Sequence, residues 1–197
     1  LPTVRCASFT ASLGSCSGII ATPGPGPQND ALVRIFNANR QLVKEFTAFD
    51  TEYGVTAVSA DIDGDGYDEL VIAQGPDPKN TATLKVFRRD GAIITTHTAF
   101  DGKYGLTLAA GDLDGDWVDE LIVGMGPDPK NPGAVKVLKY IGSGFTEVLT
   151  GNLSASTGYG ITVAAGDVDG DGIPEIIAAP GPGPNNPAVV KVWKYRT

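Results

Sequence analysis

The sequence predicts an all-β fold, a β-propeller of four blade repeats of about fifty residues each. Three observations predict it. An acidic stretch is written three times, as Asp61-Ile62-Asp63-Gly64-Asp65-Gly66-Tyr67-Asp68-Glu69, Asp112-Leu113-Asp114-Gly115-Asp116-Trp117-Val118-Asp119-Glu120 and Asp167-Val168-Asp169-Gly170-Asp171-Gly172-Ile173-Pro174-Glu175, with starts 51 and 55 residues apart. Short runs of small and β-branched residues flank each copy in period-2 alternation, the pattern of half-buried strands. Gly/Pro turns punctuate the runs, and no stretch of period 3.6 is long enough for a helix.

A full unit reads strand, acidic loop, strand, turn, strand, strand. In the last unit Gly160-Ile161-Thr162-Val163-Ala164-Ala165-Gly166 precedes the loop, and Glu175-Ile176-Ile177-Ala178-Ala179 follows it. The turn Gly181-Pro182-Gly183-Pro184-Asn185-Asn186 then leads to Val190-Lys191-Val192-Trp193-Lys194-Tyr195. The fourth strand is clearest in the second unit, as Ile93 to Phe100. The opening segment is a degenerate copy, because Gly18 through Pro27 aligns without a gap to Glu175 through Pro184. The repeats are expected at 1–52, 53–103, 104–158 and 159–197 of a single propeller domain. They close a small four-bladed ring or form part of a larger one. The last unit runs out at Lys194-Tyr195-Arg196-Thr197 before an outer strand: either the chain is truncated, or a partner donates the missing strand to the exposed edge.

Each acidic stretch sets carboxylates at positions 1, 3, 5 and 9. Three acids on alternate residues repel one another unless a cation sits between them. Oxygen ligands, a backbone carbonyl at position 7 and glycines that allow a tight turn describe a calcium cage. The alternative is an acidic Asp-Gly turn joining two strands, but three copies in register, each with Glu at position 9, favour the metal. Three Ca²⁺ ions would also bring the formal charge of −8 to about −2, so the acidity is mostly metal site. Nucleic acid is not an expected partner, since no basic stripe or reading motif is present.

Cys6 and Cys16 are the two cysteines. With no CxxC pattern or histidine cluster beside them, a Cys6–Cys16 disulfide is expected, in an oxidising compartment; two free buried thiols are the alternative. The bond would pin the degenerate first hairpin where calcium pins the others. Its contribution of roughly 2–3 kcal/mol resembles the roughly 2.7 kcal/mol of a site held at about 100 times its dissociation constant. No apolar run reaches the roughly 18 residues of a membrane span. Leu1 opens the chain with no signal peptide, as expected of a mature or excised chain.

At its Asp-x-Asp-Gly-Asp-Gly loops, followed by an apolar strand and a Gly-Pro turn, the chain resembles the FG-GAP/VCBS repeat family of integrin alpha propellers and bacterial surface proteins. The resemblance implies blades with calcium between their first and second strands. It implies as ligands Asp61, Asp63, Asp65, the Tyr67 carbonyl and Glu69 in the first loop. In the second they are Asp112, Asp114, Asp116, the Val118 carbonyl and Glu120, and in the third Asp167, Asp169, Asp171, the Ile173 carbonyl and Glu175. Two positions depart from the family. Glu replaces the common Asp at position 9, and Trp117 stands at position 6 where Gly is expected; a positive φ there costs on the order of 1–2 kcal/mol.

Strand parity places the acidic loops at one end of the propeller and the Gly-Pro turns at the other. Tyr53, Tyr104 and Tyr159 lie in the connections at the turn end, near Lys79, Asn80, Lys130, Asn131 and Asn186. Aromatic faces beside amides suit a glycan or peptide; tyrosines that plug the seams between blades are the structural alternative. Strand three repeats Arg34/Phe36, Lys85/Phe87, Lys136/Leu138 and Lys191/Trp193, expected to pack cation stems between blades. Asn152-Leu153-Ser154 is a glycosylation sequon.

Catalysis has little to draw on: one histidine, His97, in a Thr-rich strand, and no nucleophile motif. The pair Asp119-Glu120 points to opposite faces of a strand, and calcium would hold it ionised, the wrong state for a glycosidase acid. The expectation is therefore not an enzyme. It is an extracellular or cell-surface, calcium-stabilised structural or adhesion module, pairing with other protein chains or polymerising with itself through the open edge. The alternative is a carbohydrate-binding module that uses the tyrosine-bearing face.

Overall fold

The computed structural model describes residues 4–7, 18–152 and 158–195. Cys16 and most of the sequon lie outside them, as does the side chain of Cys6. Fifteen strands form four antiparallel sheets, and no helix occurs among the described residues. Sheet one contains β1 (Val4–Ala7), β2 (Gly18–Pro23), β3 (Leu32–Asn37) and β4 (Leu42–Thr47); sheet two contains β5 (Val55–Ala60), β6 (Glu69–Gln74), β7 (Thr81–Phe87) and β8 (Ile93–Lys103). Sheet three contains β9 (Leu106–Gly111), β10 (Glu120–Met125), β11 (Ala134–Tyr140) and β12 (Phe145–Asn152). Sheet four has three described strands, β13 (Ile161–Gly166), β14 (Glu175–Pro180) and β15 (Lys191–Trp193). Each sheet is a meander in chain order, as short turns between consecutive strands require.

The sheets stack in sequence, and the strand period decides which residues meet. In β6, Leu70 and Ile72 face sheet one and join Ile20, Val33, Val55 and Phe87, while Val71 and Ala73 face sheet three and join Leu84, Val86, Leu106, Leu121 and Val123. β10 repeats this, with Ile122 turned to Ile161, Val163 and Ile176 of sheet four. Both inner sheets bury both faces, so β6 and β10 read as unbroken apolar runs. Alanines in the strands keep these layers thin. A register shift recurs at Ile35/Phe36, Val86/Phe87 and Val137/Leu138, where it adds local twist to each sheet. Two of the four strand-three cations pack as their pattern predicts: Lys85 Nζ lies 4.5 Å from the Phe49 ring centre, and Lys136 Nζ lies 5.1 Å from that of Phe100; Arg34, paired with Glu45, and Lys191 are exposed.

Candidate metal centres and the opposite face

Each acidic loop joins the first and second strands of a sheet, and its tightness follows from two left-handed residues. Gly64 and Gly66 have φ of 74° and 85°, and Gly170 and Gly172 have 79° and 90°. The middle loop uses Gly115 at 81° and Trp117 at 71°. Trp117 thus adopts the left-handed conformation that position 6 demands despite its Cβ, and its side chain is 87% exposed.

The first aspartate winds the loop around itself. Asp61 Oδ1 accepts the Gly64 and Asp65 amides at 2.9 and 3.1 Å, and Oδ2 accepts that of Gly66 at 2.9 Å. Asp112 and Asp167 hold their loops in the same way. Positions 1, 3 and 9 then converge: in each of the sets Asp61/Asp63/Glu69, Asp112/Asp114/Glu120 and Asp167/Asp169/Glu175, one carboxylate oxygen per residue lies within 4.8 Å of the others. The fifth-position acids Asp65, Asp116 and Asp171 border these clusters, each accepting the amide two residues on, from Tyr67, Val118 and Ile173.

The glutamates anchor the sites. Glu69, Glu120 and Glu175 are 5%, 0% and 4% exposed. Glu120 Oε2 accepts the Leu113 amide at 3.0 Å, and Glu175 Oε2 accepts that of Val168 at 2.8 Å. The remaining oxygens, Glu69 Oε2, Glu120 Oε1 and Glu175 Oε1, are buried with no hydrogen-bond partner. The Glu69 oxygen, which has no ion pair either, is the costly one to bury. Burial, then the charges of Asp63 and Asp65, push the Glu69 carboxyl up to about 7, which marks a cage short of positive charge. Oxygen-only donors around an unpartnered buried carboxylate fit a hard divalent cation.

The cages differ in one respect that the loop sequences do not contain. Lys139 Nζ lies 2.8, 2.7 and 2.8 Å from Asp114, Asp116 and Glu120, the last close but not aligned as a hydrogen bond. Lys194 Nζ lies 2.8 Å from Asp169, contacts Asp171, and sits 3.5 Å from Glu175. Burial alone would lower the Lys139 pKa, but its three carboxylates outweigh it and raise it well above the usual lysine range. Asp169 and Asp171 do the same for Lys194.

Between sheets two and three, the Asp119 amide donates to the Asp61 carbonyl at 2.8 Å, and Asp119 Oδ2 accepts the Asp61 amide at 3.1 Å. This clamp ties one acidic loop to the next; burial raises the Asp119 carboxyl to about 6.

At the other end, Tyr53, Tyr104 and Tyr159 are half-buried, with φ of 71°, 67° and 65°. Each is wedged by backbone: a Cβ on Gly126 would lie 1.8 Å from the Tyr104 carbonyl, and one on Gly181 would lie 1.6 Å from that of Tyr159. The asparagines grouped with them as ligand candidates hold the turns. Asn80 Nδ2 donates to the Glu52 and Gly75 carbonyls, Asn131 to those of Lys103 and Gly126, and Asn186 to those of Gly158 and Gly181. Their donors therefore serve the fold. The spacing of Asn behind each Gly-Pro turn was the available signal for this role. Lys79 and Lys130 are exposed on the same rim, and Lys79 borders a cleft of about 550 Å³ with Asp30, Asp50, Glu52 and Asn80.

An all-β chain of four stacked antiparallel sheets, three of them with an acidic cage between first and second strands, defines a class of repeat protein. Residues 112–178 match the FG-GAP-like repeat. The chain is 34% identical over 128 residues to integrin alpha-4 of Xenopus laevis, covering 58% of this chain and 12% of that protein. It is 30% identical over 161 residues to integrin alpha-PS2 of Drosophila melanogaster, covering 73% and 12%. The chain therefore belongs to the FG-GAP-type repeat family, and it spans about an eighth of these relatives' length. In fold it resembles a rhamnogalacturonan lyase of Bacillus licheniformis, with a TM-score of 0.57 at 17% identity over 82% of this chain and 38% of that one.

Proposed function

We propose that the chain is a calcium-stabilised adhesion-type β-propeller module, acting outside the cell or at its surface through contacts with other protein chains. The observation that carries the metal part is the convergence, in register in all three loops, of the carboxylates at positions 1, 3 and 9 around a buried glutamate, with the Glu69 oxygen left with neither a hydrogen bond nor an ion pair. The ligands would be the carboxylates at positions 1, 3, 5 and 9 with the carbonyls of Tyr67, Val118 and Ile173. The ion would supply the charge that gathers the carboxylates and fixes the turn. The four sheets are read as four blades, and the likeness to integrin alpha chains supports a binding rather than catalytic role. The lyases share the fold alone. Among the described strands β15 pairs with β14 alone, and Val190 just before it and Val192 within it are exposed (66% and 46%), which fits pairing with a further strand at this edge. A lectin role for the tyrosine face has less behind it, because the rings are half-buried and the asparagine donors are taken.

Native mass spectrometry in millimolar calcium tests the metal reading. Three Ca²⁺ ions per chain are expected, falling to two in D61N/D63N. A metal-free chain would contradict it.

A further inference from the structure

We propose that Lys139 and Lys194 are internal competitors for the metal, so that the three cages fill in order, the Asp61 cage first. The inference builds on the metal reading above and adds a hierarchy that the loop sequences alone do not contain.

Sheet register brings strand three to the cages. Leu70 pairs with Phe87, Leu121 with Leu138 and Ile176 with Trp193. The next residue of strand three, namely Arg88, Lys139 or Lys194, therefore comes level with the position-9 glutamate of its own cage. In sheets three and four that residue is a lysine, and its ammonium lies among the acids of positions 3, 5 and 9, where a bound cation would draw the same oxygens. In sheet two it is Arg88, which is exposed. Among the described residues no lysine or arginine makes an ion pair with Asp61, Asp63, Asp65 or Glu69.

Chemistry explains the difference. An ammonium is a compact point charge that enters a ring of carboxylates, whereas a planar guanidinium needs a wider, bidentate partner. Calcium at the second and third cages must displace that ammonium. Both lysine side chains keep partial exposure, 24% and 29%, which gives the head group a way out to water. An ammonium that holds the cage nine-tenths of the time weakens apparent calcium affinity about tenfold. The first cage carries no such competitor, and its Glu69 oxygen stays unpartnered until metal arrives. Low calcium thus fills the Asp61 cage, while the other two stay neutralised by lysine until calcium rises further.

The test is a calorimetric titration of the full chain with CaCl₂ at fixed pH. Terbium luminescence adds a local readout, since Tyr67 lies in the first loop and Trp117 in the second. One tight and two weaker sites are expected, with Tyr67-sensitised emission appearing before that of Trp117. K139M and K194M should each strengthen one weak site about tenfold and leave the first unchanged. R88K, which brings an ammonium to the first cage, should weaken the tight site. Three sites of equal affinity, or weaker binding in K139M and K194M, would overturn the hierarchy while leaving the metal reading standing. No calcium heat and no terbium emission in the native chain would overturn both.

Discussion

Glu69, Glu120 and Glu175 hold the same place in three loops and meet different surroundings. Glu120 and Glu175 have an ammonium within 2.8 and 3.5 Å; Glu69 has none, and burial, then Asp63 and Asp65, push its carboxyl up to about 7. At this scale Trp117 is the costliest choice of residue. It occupies a left-handed φ of 71° and is 87% exposed, so removing its side chain forfeits little burial. Trp117→Gly is expected to stabilise the chain by about 1 kcal/mol, read as a higher denaturant midpoint at unchanged slope. A destabilisation would mean that the indole makes contacts which outweigh the backbone strain. The aspartate alternation and the odd Trp at a glycine position were legible in the sequence because their cause lies within nine residues. Lys139 and Lys194 were not, because only sheet register brings strand three level with the loop. Tyr53, Tyr104 and Tyr159 were read as a face, yet their positive φ and buried carbonyl wedges show a part in the packing of connections.

At the scale of elements, the sheets communicate through paired side chains at their seams. His97 of β8 meets Phe145 of β12 edge-on, with ring centres 5.5 Å apart. Its pKa is lowered by burial and by Lys136, with Glu147 pulling the other way. The unfolded chain therefore takes up a proton at higher pH than the folded one. This contact supports stability above the ordinary histidine pKa and loses it as pH falls through that value. An NMR titration should place His97 below the ordinary value, with Lys136→Met moving it up and Glu147→Gln moving it further down. A His97 that titrates at the ordinary value and ignores both substitutions would remove the seam coupling. Element order was largely readable, since strand-forming runs alternate with Gly-Pro turns. Asn80, Asn131 and Asn186, expected beside a ligand face, spend their Nδ2 donors on turns of the fold. An amide two residues from a proline is equally suited to bind a ligand or cap a turn, and only the position of the next unit's connection decides.

For the whole molecule, the apolar layers lie between stacked sheets and are built mainly from alanine, valine, leucine and isoleucine, with loops of concentrated negative charge at one end. On the metal reading proposed above, cations more than interior bulk hold its hairpins. The disulfide expected for the first unit would fill the same role where the acidic loop is missing. The most direct test is thermal melting of the full chain with millimolar calcium and again after chelation, at matched ionic strength. Three sites at 100 times their dissociation constants add about 8 kcal/mol, which raises the midpoint of a chain this size by about 16–32 °C. Calcium should produce a shift of that order, reversed by chelator and reduced by D61N/D63N. An unchanged midpoint would contradict the account.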